Sequence, residues 1–301
     1  MNKVLKNLIK LFIGLIILFA VFYKIGFSEI LGTLISVNLW VLPLIVLFQT
    51  IFVFIGALDA WILLKPISKI SYFEFLKCYV PAWSIGLFVP GKFGEASIIY
   101  FLKKKGVSVG QGTAVFVIEK LITLIVLGLT ASFGFFIFFS YQIAMKLFGF
   151  LIAAAILGFI ILFSNFSRNL IRRIFLRKYQ KMFTGFSRTT FGYLNNNKSL
   201  LFFSFIFNFL RWIVGSYVWY LIFLLGFNVY IEFYKILMIS AIGTIVGLIP
   251  ISMNGLGIRQ GTSIYLYGLM GIPSQTVASM QIIGLVLIYI MGILGVWWWR
   301  K

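Results

Sequence analysis

The stretch Val89-Pro90-Gly91-Lys92-Phe93-Gly94-Glu95 interrupts a long apolar run with a proline, two glycines and two charges. A second stretch, Ile249-Pro250-Ile251-Ser252-Met253-Asn254-Gly255-Leu256-Gly257-Ile258-Arg259, interrupts a later run in a similar way. Proline removes a backbone donor and glycine relaxes the helical restriction on φ and ψ, so both runs should break here. Inside a bilayer, broken backbone survives only where protein or a wet cavity shelters it. We therefore expect two helical hairpins whose tips meet at membrane depth, where transporters place their substrate site.

The prolines and glycines of the two stretches are the expected hairpin tips. They are Pro90, Gly91 and Gly94 in the first stretch and Pro250, Gly255 and Gly257 in the second. The Gly-x-Gly element of the second stretch follows no predicted strand and lacks the spacing of a phosphate-binding loop. It is therefore interpreted as a hairpin tip and not as a nucleotide site.

The composition is that of an integral membrane protein, since 62% of the 301 residues are apolar and only 11% are charged. Repeated apolar runs of about 18 residues or more are typical of transmembrane helices. No segment is polar enough for a separate soluble domain, so we expect one transmembrane domain over residues 1–301. The single cysteine, Cys78, cannot form an intrachain disulfide, and the lack of histidine removes the commonest metal ligand and general base.

The apolar runs predict an all-α, polytopic fold with about six full spans plus two re-entrant helical hairpins. The expected spans cover residues 4–23, 39–64, 112–139, 143–163, 200–227 and 277–299, and the hairpins lie within 80–101 and 236–271. Short interfacial helices are expected at residues 28–38 and 66–79.

The distribution of basic residues predicts which side of the membrane each loop faces. If both hairpins return to the side they left, the inside segments hold nineteen Lys and Arg residues and the outside loops hold three. This bias agrees with the positive-inside rule and places both termini in the cytoplasm, in a cell (plasma or inner) membrane. The basic loop 164–198, with eight Lys or Arg residues and no acid, should contact anionic inner-leaflet lipids. The net charge of +20 then reflects topology and not nucleic-acid binding.

The same orientation makes the chain an inverted-topology repeat. A span, a hairpin and a span in residues about 39–139 run opposite to the equivalent elements in residues about 200–299. Hydropathy carries this prediction, because the sequences of the halves share little beyond a proline followed by a glycine and a basic residue.

Ionisable side chains inside the membrane are candidate functional groups, because each is costly there unless it is paired or hydrated. The candidates are Asp59, Lys92, Glu95, Glu119, Lys120, Arg211 and Arg259. Lys92 and Glu95 are three residues apart and could pair, either to lock the tip or to engage a substrate. Glu119 should pair with Lys92, Lys120 or Arg259. Lys120 is expected to snorkel to the inner interface, and Asp59 to reach water or Lys65.

Arg259 follows two glycines in the second hairpin, where open backbone amides and a helix N-terminus would point inward. A guanidinium beside free N–H groups can clamp a phosphate or a carboxylate. The alternative is a stabilising ion pair to Glu95 or Glu119. Because four bases inside the membrane face three acids, the sequence favours an anionic guest. The expected substrate site contains Lys92, Glu95, Glu119, Arg211, Ser252, Asn254 and Arg259.

Catalysis has no visible signature in the sequence. There is no histidine, no nucleophile motif and no acidic cluster that would hold a metal ion. We therefore predict no catalytic residue, no metal site and no cofactor, and we do not expect an enzyme.

At its two interrupted stretches the sequence resembles the lysylphosphatidylglycerol synthase transmembrane family, also described as flippase-like membrane proteins. The family pattern P-G-[RK]-x-G-E is matched by Pro90 to Glu95. A later proline followed by G-x-G-x-R-E is matched by Pro250 to Arg259, except that Gln260 replaces the acid. In fused members a cytoplasmic domain makes an aminoacylated lipid and the membrane domain moves it between leaflets. Residues 1–301 are not expected to include such a domain, so the resemblance implies the translocation half and not the aminoacyl transfer.

Three functions follow as hypotheses. The first is a lipid flippase or scramblase-like transporter that moves an anionic phospholipid or polyprenyl-phosphate-type lipid through a central charged cavity. The second is a membrane enzyme or accessory subunit in polyprenyl-linked glycan or lipid modification. The third is a scaffold whose basic loop recruits a cytoplasmic partner. A membrane lipid with a phosphate headgroup is the expected substrate, and a homo-oligomer is compatible with the sequence.

Overall fold

The computed structural model describes residues 3–89, 94–163, 185–249 and 251–298, and these ranges form helices and turns with no strand. The helices are α1 (Lys3–Ile25), α2 (Phe27–Ile35), α3 (Val41–Leu64), α4 (Tyr72–Phe88), α5 (Ile98–Lys104), α6 (Val109–Phe138), α7 (Tyr141–Phe163), α8 (Phe186–Asn196), α9 (Lys198–Leu221), α10 (Phe233–Gly247), α11 (Ile258–Gly268) and α12 (Ser274–Trp298). Two 3₁₀ turns, Glu95–Ser97 and Met253–Gly255, separate α4 from α5 and α10 from α11. A π-helical turn, Ile222–Gly226, follows α9. The predicted all-α class is confirmed.

In the described ranges, four helices are long and apolar enough to cross a membrane: α3, α6, α9 with its π-helical turn, and α12. α1 and α2 form a fifth candidate, a pair bent by 84° at Gly26, which has a φ of 101°. α7 begins with a shorter apolar stretch, Tyr141–Ala154. The chain is therefore a multi-pass membrane protein. The number of six full spans and the re-entrant course of the hairpins stay predictions.

α4 differs from the expectation, because an interfacial helix ending at residue 79 and a hairpin beginning at residue 80 are one continuous helix. Ser71 and Glu74 form a capping box at its start, in which each side chain accepts a hydrogen bond from the other residue's backbone N–H. The sequence turns apolar at Val80, but backbone bonding continues through Pro81, since a proline removes only one donor. The helix ends at Phe88, just before the first tip, and Val89 is extended, as expected before a proline.

The two halves of the chain share one order of elements: long helix, hairpin arm, 3₁₀ turn, second arm and long helix. These are α3, α4, a turn, α5 and α6 in the first half, and α9, α10, a turn, α11 and α12 in the second. The halves also pack reciprocally, with α3 against α9, α6 against α10, and α12 against α4. A two-fold relation would produce this pattern, because equivalent elements then exchange equivalent contacts. The inverted orientation of the halves in a membrane stays a prediction.

Both hairpins close through a contact between two glycines. A Cβ on Gly94 would lie 2.8 Å from the Cα of Gly86, and a Cβ on Gly255 would lie 2.7 Å from the Cα of Gly247. Only glycine permits backbones to approach this closely. The arms therefore cross tightly in both halves, which fixes the side chains that follow each tip.

The tip of the second hairpin is sheltered by α1. A Cβ on Gly257 would lie 2.7 Å from the carbonyl oxygen of Gly14, and a Cβ on Gly14 would lie 3.1 Å from the carbonyl oxygen of Leu256. Helical backbone thus covers the irregular backbone of the tip, which meets the requirement that broken backbone at membrane depth be enclosed by protein.

Candidate functional site

A cavity of ≈ 190 Å³ lies between the halves and is lined by residues of both hairpins. Its ionisable and amide side chains include Glu95, Lys120, Arg211, Asn254, Arg259 and Gln260. The structure thus brings together four of the residues expected at the substrate site, namely Glu95, Arg211, Asn254 and Arg259. The remaining tip residues Pro90, Gly91, Lys92 and Pro250 lie outside the described residues, as does most of the basic loop.

A chain of alternating charges forms one wall of the site. Lys120 Nζ lies 2.5 Å from Glu95 Oε2 and 2.8 Å from Glu119 Oε2. Arg211 Nη1 in turn lies 3.5 Å from Glu119 Oε1. Glu119 is 3% exposed and Arg211 is 7% exposed, so these ions are stabilised mainly by one another. These ion pairs link the first hairpin to α6 and α9.

Lys120 does not snorkel to the membrane interface, although the sequence had led us to expect it. Its ammonium lies between the carboxylates of Glu95 and Glu119. The two short ion pairs offset the hydration that the ammonium loses. If Lys120 instead extended to the interface, Glu95 and Glu119 would both lose their contact with its ammonium. The adjacent positions of Glu119 and Lys120 on α6 let one side chain reach Arg211 while the other reaches the hairpin tip.

Asp59 also differs from the expectation that it would reach water or Lys65, because it is 0% exposed. The Ser204 hydroxyl donates to its Oδ1, and Asn208 Nδ2 donates to its Oδ2 at 2.9 Å. The sequence carried a signal for this contact that was missed. Ser204, Asn208 and Arg211 recur with helical spacing on the otherwise apolar α9 and so share one face.

Arg259 lies near the start of α11 and extends across the first arm of the second hairpin. Its Cγ would lie 2.5 Å from a Cβ on Gly247, and its Nη2 donates to Thr244 Oγ1 at 3.3 Å. Among the described residues no carboxylate lies within 4 Å of this guanidinium, so the alternative of an ion pair to Glu95 or Glu119 is wrong. Arg259 therefore presents its charge to the cavity.

The neutral residues of the second hairpin shape its tip. Asn254 has a φ of 52° and a ψ of 29°, a left-handed turn conformation that asparagine tolerates well. Ser252 is buried, and its Oγ has no hydrogen-bond partner in the described part of the chain. Gln260 Oε1 accepts the backbone N–H of Gly257 at 2.8 Å. Gln260 therefore caps α11 with a neutral oxygen at the position where the resemblance led us to expect an acid.

Three donors on α9 line the same cavity without a partner among the described residues. They are Arg211 Nε, Trp212 Nε1 and Ser216 Oγ. Buried donors are costly when they are left without an acceptor. The protein encloses these three atoms, so a guest in the cavity does not reach them in this conformation. No group of three His, Cys, Asp or Glu side chains that could hold a metal ion occurs in the described ranges.

Comparison with known proteins gives a family assignment. A search of curated proteins finds no match to the chain. The family model described as the lysylphosphatidylglycerol synthase TM region matches residues 7–295, which is nearly the whole chain. The chain therefore belongs to this family of membrane proteins related to lipid modification or transport.

Proposed function

We propose that the protein is a lipid flippase or scramblase-like transporter that moves an anionic phospholipid or a polyprenyl-phosphate-type lipid between leaflets. The headgroup occupies the cavity between the hairpins, and the acyl or prenyl chains stay in the bilayer. Family membership supports a lipid substrate, and the charges in the cavity support an anionic one.

The observation that carries the proposal is that the guanidinium of Arg259 has no carboxylate partner among the described residues. Lys120 and Arg211 each have a carboxylate within 4 Å, whereas Arg259 has none in the described part of the chain. An unpaired guanidinium inside a membrane protein is costly unless an anion or water occupies the space beside it. A phosphate would supply the missing charge and would accept bidentate hydrogen bonds.

The size of the cavity agrees with a headgroup and not with a whole lipid. Its ≈ 190 Å³ is below the range of about 300–1,000 Å³ that is usual for pockets that enclose a whole small ligand. A phosphate with a small polar substituent fills such a space, and long apolar chains do not fit it.

The test is reconstitution of the purified protein into liposomes that contain a fluorescent phosphatidylglycerol, with leaflet exchange read by an impermeant quencher. Arg259→Gln keeps the length of the side chain and removes the charge. A charge-assisted hydrogen bond contributes about 1.5–3 kcal/mol, so we expect the rate to fall about tenfold or more. Lys146→Gln, which removes an exposed positive charge on α7 outside the cavity, is the matched control and should retain the wild-type rate.

Equal exchange rates for wild type and Arg259→Gln would remove Arg259 from the mechanism. Product formation from a polyprenyl-phosphate sugar without leaflet exchange would instead favour the membrane enzyme or accessory subunit. We further propose that the protein resides in the plasma or inner membrane with both termini in the cytoplasm. That orientation follows from the charge bias of the loops.

A further inference from the structure

The carboxyl group of Asp59 lies where the two halves of the chain meet. Asp59 is on α3, and both side chains that bond to it, Ser204 and Asn208, are on α9. α3 and α9 are the equivalent first helices of the halves, and they pack against each other. A change in the protonation of this carboxyl therefore changes the hydrogen bonds that join the two halves.

Asp59 has a different environment from the other two acids in this region. Glu95 and Glu119 each contact a cation, whereas in the described ranges Asp59 has no Lys or Arg nitrogen within 4 Å and is held by neutral donors. Complete burial favours the neutral carboxyl, and the two donated hydrogen bonds favour the carboxylate. Among the described residues, no ion pair within 4 Å therefore fixes either protonation state of this carboxyl.

The amide of Asn208 can bond to either state. Its Nδ2 donates both to Asp59 Oδ2 at 2.9 Å and to Thr123 Oγ1 at 2.8 Å. Its Oδ1 is buried and has no hydrogen-bond partner among the described residues. A 180° turn of the amide exchanges the two atoms, so that Oδ1 would face Asp59 and accept a hydrogen bond from the protonated carboxyl.

Thr123 connects this pair to the cavity. It lines the cavity wall, and its hydroxyl lies 3.4 Å from Glu119 Oε1. The charged groups that act on Asp59 from the surrounding helices are Glu119 on α6 and Arg211 on α9. Lys120 on α6 pairs with Glu119, and the hydroxyl of Tyr79 on α4 lies beside Arg211 at Gly56. Asp59 is therefore separated from the cavity wall by Asn208 and Thr123, which are hydrogen-bonded to each other.

We propose that Asp59 is a proton-binding site, and that binding and release of one proton there couple lipid movement to the pH difference across the membrane. A hydronium ion donates the proton, which forms an O–H bond at Asp59 Oδ2 and leaves a water molecule; breaking that O–H bond returns the proton to water and restores the carboxylate. The inference rests on the proposed transport function. Its physical basis is that protonation changes the bonds between α3 and α9, and a motion of one half against the other must pass through that contact.

Infrared difference spectroscopy on the full chain in liposomes tests proton binding without any lipid probe. Stepping the pH should produce a protonated-carboxyl carbonyl band in wild type that is absent in Asp59→Asn. Glu232→Gln, which changes an exposed acid before α10, is the control and should retain the band. Identical spectra for wild type and Asp59→Asn would overturn the proposal.

Ser204→Ala is a second variant, which keeps the acid and removes one donor to it. It should move the pH at which the band forms by about one unit. A purely structural hydroxyl would leave that pH unchanged, and this result would also count against the proposal. The measurement remains decisive if Asp59→Asn proves unstable.

Leaflet exchange of fluorescent phosphatidylglycerol then tests the coupling. We expect the wild-type rate to change at least threefold when a pH gradient is imposed, and the Asp59→Asn rate to be the same with and without it. A wild-type rate that follows sodium and ignores pH would overturn the assignment of a proton. An absence of exchange by wild type, with the infrared band present, would contradict the transport function and leave the proton site standing.

Discussion

Replacing Glu119 by glutamine should destabilise the protein, because it removes the ion pairs of Glu119 with Lys120 and with Arg211. Lys120 would keep its contact with Glu95, whereas Arg211 would have no carboxylate within 4 Å among the described residues. Removing one partner of a buried ion pair costs about 3–5 kcal/mol. The glutamine can still bond to Thr123, so we expect a loss near the lower end, about 3 kcal/mol.

The single cysteine of the chain provides the assay. Cys78 is buried at 5% exposure, so a thiol-reactive fluorophore labels it only when the surrounding helices open. The midpoint of labelling on heating or in denaturant then reports stability in detergent. Glu232→Gln changes an exposed acid that pairs with Lys235 and should leave the midpoint unchanged.

A double-mutant cycle separates the ion pair from other effects of the substitution. Glu119→Gln and Arg211→Gln should each destabilise the protein, and the double variant should lose less than their sum by about 1–3 kcal/mol. Losses that add to within about 0.5 kcal/mol would show that the two groups do not interact energetically. If Glu119→Gln alone lowers the free energy of unfolding by less than about 1 kcal/mol, the ion pair of Glu119 and Arg211 is not shielded from water as we assume.

Two further substitutions test the packing that positions the site, with the same thiol assay. Gly94→Ala places a Cβ 2.5 Å from the carbonyl oxygen of Ile85 and should cost about 3 kcal/mol, because backbone atoms cannot move aside cheaply. Gly128→Ala, in α6 with no atom within 4 Å of the new Cβ, is the matched control and should gain about 0.5–1 kcal/mol. Tyr193→Phe removes the buried hydroxyl that donates to the Leu63 carbonyl and should cost about 1 kcal/mol. A neutral result for Tyr193→Phe would mean that the freed carbonyl finds another donor.

The sequence by itself determined the class of the fold and the two stretches at which the hairpin arms are interrupted. Apolar runs and the distribution of proline and glycine act locally, so the long helices and the positions of both 3₁₀ turns follow from residues near them. Part of the repeat was also readable, because Gly86-Leu87-Phe88 before the first tip resembles Gly247-Leu248-Ile249 before the second.

Only the tertiary structure decided which buried charges are paired. Nothing near Lys120 in the sequence shows that the hairpin acid Glu95 turns back onto it, or that α9 delivers two neutral donors to Asp59. These contacts join helices that are distant in the chain. Their formation depends on how whole helices pack, because in a low-dielectric interior a charge takes the partner that the packing brings within reach.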